Sequence, residues 1–141
     1  MKAYFCMMCG LFGAAVSVLF GGWSEGLLTL MLFMALDWIT GLMLAGVFHK
    51  SGKTETGRLE SSAGLKGLFR KGAILFFVMI GYRLDVMMGI TGIRDGVIVA
   101  FCVNELISIT ENAGLMGVPV PKVITRAIEV LHESEEEGQD E

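Results

Sequence analysis

Histidine, cysteine, proline and charge are all scarce in this chain of 141 residues, and each shortage removes a class of protein. Two histidines, His49 and His132, lie too far apart to form a metal or proton-relay pair, and no nucleophile stands beside a base, so an enzyme is not expected. The three cysteines, Cys6, Cys9 and Cys102, fall in apolar stretches, which excludes a disulfide framework and a zinc site. Cys6 and Cys9 have the C-x-x-C spacing of redox motifs without a strand-to-helix setting, and are read as packing residues. The only two prolines, Pro119 and Pro121, sit together, so nothing upstream breaks a helix by that route. No metal, cofactor or nucleic-acid partner is expected.

Hydrophobic residues make up 53% of the chain and charged ones 18%, an imbalance that an ordinary soluble domain does not carry. The expected fold class is all-α, an integral membrane bundle of four transmembrane helices, alternatively three. The spans are placed at about 4–20, 26–48, 72–90 and 97–113. The first follows Lys2 but lacks small-residue cleavage chemistry after Phe20, so it is read as an uncleaved span rather than a secretory signal. A basic connector, 49–71, carries Lys50, Lys53, Arg58, Lys66, Arg70 and Lys71 against Glu55 and Glu60. Short loops rich in Lys and Arg stay in the cytoplasm. Four spans then put both termini there, with nine of the eleven basic residues on one side, whereas three spans would export Lys122 and Arg126. Residues 1–132 form one transmembrane domain, closed by a short amphipathic helix at 122–132. Six of the fifteen acids crowd 133–141, which is read as a disordered acidic tail.

Asp37 lies mid-way along the apolar run Gly26 to Phe48, at bilayer depth if that run is a helix of about 1.5 Å rise per residue. Placing a charge there costs between about 2.5 and 17 kcal/mol unless it finds a polar partner, water or a proton. Thr40 follows one turn on, and Gly41 and Ala45 extend the face with a spacing that lets helices approach closely. Gly10 and Ala14, and Gly13 with Ser17, repeat that spacing on the first span. Asp85 interrupts the third span. On the fourth, Asn104, Ser108 and Glu111 form one polar strip and Glu105, Ser108 and Asn112 the next. Two readings stay open. These residues either anchor helices within one copy, with Glu105 neutralising a base such as Arg83, or serve assembly and line a lesion. The acids are expected to be tolerated because sister copies gather around them.

The order Gly21-Gly22-Trp23, Asp37-Trp38-Ile39-Thr40-Gly41, Ser61-Ser62, Gly67-Leu68-Phe69-Arg70-Lys71, Leu84-Asp85, Asn104 to Ala113 and Gly117-Val118-Pro119-Val120-Pro121 resembles the bacteriophage holins of the toxin-secretion and phage-lysis group. The likeness runs from about Val18 to Leu131. Trp38 stands where that family pattern has Tyr or Phe, and Thr110 where an aliphatic is usual. The resemblance implies a homo-oligomer in the bacterial cytoplasmic membrane that opens lesions for an endolysin or a toxin, with the endolysin as functional partner. An antiholin acting through a partner holin, or a small channel or transporter subunit, is the alternative.

Overall fold

The computed structural model describes residues 1–53, 55–58 and 60–137. They form five α-helices: α1 (Lys2–Phe20), α2 (Glu25–Gly46), α3 (Ser61–Met88), α4 (Ile93–Leu115) and α5 (Lys122–Glu137), with no strand among the described residues.

Local chemistry sets the helix ends. Gly21 adopts φ 76°, which ends α1 at little cost because glycine lacks Cβ. Ser24 Oγ accepts a hydrogen bond from the Leu27 N–H at 3.1 Å and starts α2. At the other end of α2 the His49 ring donates from Nδ1 to the Ala45 carbonyl at 3.1 Å, covering one of the last free carbonyls.

α2 and α4 run parallel and pack most extensively, with Ile98 beside Gly26 at one end and Asn112 beside Gly41 at the other. α3 lies antiparallel to both. It comes close to α4 at Gly81, where an added Cβ would lie 3.1 Å from the Arg94 Cα. α1 meets α3, and Val16 is its one buried residue. Loop-joined neighbours therefore alternate in direction. The ends of α1 and α3 and the starts of α2 and α4 gather at one pole, and the basic residues before Lys71 lie at the other.

The buried positions advance in steps of three and four: Leu27, Leu30, Met34 and Asp37 on α2, and Lys71, Ile74, Val78, Gly81 and Asp85 on α3. On α4 Ile98, Glu105 and Asn112 lie seven apart, and Val103 is buried between the first two. Such a repeat keeps one seam of each helix facing its partners. Leu27, Leu30, Met34, Ile74, Val78 and Ile98, joined by Val16, make the apolar core.

Several expected boundaries move. α3 begins at Ser61 rather than Gly72, so half of the connector is helix; Ala63, Leu65 and Lys66 are good helix formers, and the charge of Lys66, Arg70 and Lys71 is what gives the segment the composition of a loop. α4 starts at Ile93 instead of Val97, because the Asp85 carboxylate covers its first N–H groups. α5 continues to Glu137, five residues past the stop expected at His132. Only the rest of the expected disordered tail, 138–141, lies outside the described residues.

The all-α expectation is met, and two of the four expected spans pass on length and apolar content. Among the described residues, α1 and α2 are long and apolar enough to cross a membrane, each with mean hydropathy 2.0 in its best window. α3 and α4 have the length, but charge lowers their apolar content.

Candidate functional site

Three helices each deliver one charged side chain to a single buried point. The Lys71 Nζ on α3 donates to Asp37 Oδ2 on α2 at 2.8 Å and to Glu105 Oε2 on α4 at 2.5 Å. All three side chains are close to fully buried, at 11%, 8% and 6% exposure. An ammonium so placed meets two carboxylates at charge-assisted distance, which offsets part of the desolvation of all three groups.

The second Asp37 oxygen is also occupied. Ser108 Oγ donates to Oδ1 at 2.5 Å, and the Asn112 amide reaches it at 3.4 Å. Asn112 Nδ2 donates as well to Thr40 Oγ1 at 3.1 Å, and the Thr40 hydroxyl donates to the Asp37 carbonyl. Gly41 faces Asn112 here, and a Cβ on it would stand 3.9 Å from Asn112 Nδ2, an ordinary contact that the packing accommodates. Ala45 is buried one turn further along α2.

Most of the residues singled out in the sequence therefore converge: Asp37, Thr40, Gly41, Glu105, Ser108 and Asn112. Asn104 and Glu111 do not enter the network. They are exposed and line a cavity of about 570 Å³ that reaches the charge cluster. Two expectations are corrected. The base that meets Glu105 is Lys71, not Arg83, which is exposed. The countercharge for Asp37 and Glu105 comes from their own chain rather than from a sister copy, because α3 starts early enough to carry Lys71 into the interior.

Lys71 is not among the candidates the sequence offers, because it falls in the basic connector 49–71. A signal was there: Lys71 stands three residues before Ile74 and seven before Val78, the seam spacing of α3.

Asp85 belongs to a separate arrangement at the opposite pole. Its Oδ1 and Oδ2 accept from the N–H groups of Ile93 at 2.9 Å and Arg94 at 3.0 Å, an anion against a helix N-terminus. Arg94 in turn donates from Nη1 to the carbonyls of Phe20 at 2.9 Å and Gly21 at 3.3 Å, satisfying the end of α1. A Cβ on Gly21 would overlap the Tyr82 ring. This pole fastens helices together.

Among the described residues no group of three His, Cys, Asp or Glu side chains could hold a metal ion. Two helices long and apolar enough to cross a membrane, with a buried charge cluster on the second, mark the class as a small helical membrane protein. The chain belongs to the bacteriophage holin family, whose pattern it matches over residues 14–133. It is 39% identical to an uncharacterized protein of Halalkalibacterium halodurans over 93% of this chain and 96% of that one. An uncharacterized protein of Listeria monocytogenes is 37% identical over 92% and 86% of the two chains. A protein of Bacillus phage phi105 named "Probable holin" is 33% identical over 74% and 73%. No solved structure matches.

Proposed function

We propose that this chain is a holin: a non-enzymatic protein that gathers as a homo-oligomer in the bacterial cytoplasmic membrane and opens lesions through which an endolysin, or a toxin, leaves. Family membership and the phage phi105 relative support the class. The observation that carries the mechanism is the Asp37–Lys71–Glu105 knot.

With the charges of the knot paired internally, a single copy offers lipid a largely apolar surface and can collect without harm. α1 is exposed along nearly its whole length, with Tyr4, Phe5, Leu11 and Phe12 turned outward. A lesion needs the opposite surface, polar groups facing water. Separation of α3 from α2 and α4 would expose Asp37, Lys71, Glu105, Ser108 and Asn112 together, a hydrophilic lining drawn from three helices of each copy.

Four spans agree with this packing. The alternating helix directions put Lys50, Lys53, Lys66 and Arg70 at one pole and Arg94 at the other, the asymmetry that retains a pole in the cytoplasm. Lys71 and Glu105, which lower the apolar content of α3 and α4, are paired with each other inside. The stretch from Lys71 to Met88 still rises about 27 Å, close to the hydrocarbon thickness.

Expression of the chain in a bacterium with and without a cytoplasmic endolysin tests the reading. Lysis is expected only with both. Continued growth with an intact membrane potential at high expression would overturn it in favour of the antiholin or transporter alternatives.

A further inference from the structure

α5 carries the sharpest division between apolar and polar faces of the five helices, and the protein leaves much of that apolar face uncovered. At 3.6 residues per turn, Val123, Ile124, Ala127, Ile128, Val130 and Leu131 fall within an arc of about 160°, while Lys122, Thr125, Arg126, Glu129 and Glu133 take the opposite side. Val123 is 77% exposed, Val130 59% and Ile124 40%. Among the described residues α5 touches α4 and no other helix. Val123, Ile124, Thr125, Ile128 and Val130 are β-branched, so a helix of 16 residues has little propensity to stand alone in water. Its apolar face needs a cover.

We infer that α5 lies in the plane of the cytoplasmic leaflet, its apolar face sunk to the boundary between lipid headgroups and acyl chains. The inference rests on the membrane reading above, which ends α4 at the cytoplasmic surface. Lipid fits this face by continuity, by width and by charge. The exposed side chains of Leu115 and Val118 carry the apolar surface from the end of α4 toward Val123. Gly117 at φ 82° turns the chain, the Val118 N–H returns to the Ala113 carbonyl at 2.9 Å, and α5 stays against α4 instead of being led out into water. An arc of about 160° is wider than the narrow seam by which two helices pair, and it suits a flat apolar surface. Arg126 borders the arc beside Val130, with Lys122 one turn earlier, so their stems can lie along the acyl boundary while the charges reach lipid phosphates. Glu133 opens the acidic end of the chain, which those phosphates repel, so the helix sits deepest near its start.

Spin labels measure this depth in the full chain, reconstituted into vesicles of phosphatidylethanolamine and phosphatidylglycerol in a background lacking the native cysteines. Labels on Val123→Cys, Ala127→Cys and Val130→Cys should collide with dissolved oxygen and be shielded from a water-soluble nickel chelate, whereas labels on Thr125→Cys and Glu129→Cys should meet the chelate at least about tenfold more often. All five positions are exposed, so these replacements leave the core and the knot untouched. Equal access of the chelate to all five overturns the inference. Shielding of the apolar positions from both reagents overturns it too, since that pattern means that a second copy covers them. Val123→Asp with Val130→Asp should bring the Ala127→Cys label out to the chelate, and an unchanged signal counts against lipid as the cover. A label on Met8→Cys, exposed along α1, separates the two readings. Chelate access at that position refutes the membrane reading, whereas oxygen access there beside a solvated α5 refutes this inference alone.

Discussion

Removing the Lys71 side chain leaves Asp37 and Glu105 buried with no cation between them. Breaking a buried pair in this way costs about 3–5 kcal/mol, mostly the cost of the abandoned charges. Lys71→Ala should therefore lower the midpoint of denaturant unfolding in detergent sharply, and adding Asp37→Asn and Glu105→Gln should recover most of the loss. Equal stability of Lys71→Ala and the parent chain would show that the knot stabilises nothing. At the far pole, Asp85→Asn keeps the shape of the cap but loses its charge, and a smaller loss of about 1 kcal/mol is expected in the same assay. The two acids of the knot were visible in the sequence, since an isolated carboxylate in an apolar run demands a partner. Which partner was not, because Lys71 follows Arg70 and sits among other bases, and composition alone assigns such a residue to solvent. The three-and-four spacing would have separated Lys71, at the seam, from Arg70 beside it.

Among the elements, α1 is held differently from the rest. Only Val16 on it is buried, and its fastening is concentrated at Phe20 and Gly21, under Arg94 and Tyr82. Arg94→Gln should free α1 while leaving α2, α3 and α4 joined through the knot. Spin labels at Cys6 and at a cysteine introduced at Gly114 would report this as a broadened distance distribution, with global unfolding little changed; an unaltered distribution would assign the attachment of α1 to its apolar contacts. Gly21→Ala should act in the same direction, since the left-handed backbone there costs a non-glycine residue about 1–3 kcal/mol and the new Cβ meets the Tyr82 ring. Helix existence was legible from the apolar runs, and the boundaries of α1 and α2 fall within two residues of expectation because Gly21, Ser24 and the neighbouring glycines punctuate them locally. The start of α4 was not legible, since its first N–H groups depend on Asp85, an acceptor eight residues away. The early start of α3 was hidden by the same basic residues that correctly mark a polar pole.

For the whole molecule, the arrangement makes a prediction about sidedness. If the chain crosses four times, a cysteine at Asp95 in a background lacking the native cysteines should react with an impermeant maleimide added outside intact cells, and cysteines at Ser51 and Ser134 only after permeabilisation. Labelling of Ser134→Cys from outside would instead select three spans. The Asp37–Lys71–Glu105 knot also carries a consequence for descent. One cation shared by two acids from separate helices cannot be lost by itself without leaving a deficit, so a lineage that replaces Lys71 with a neutral residue should also surrender Asp37 or Glu105. Across related sequences these three positions should drift as a set, and chains with an uncharged position at each should be as viable as chains that keep the trio.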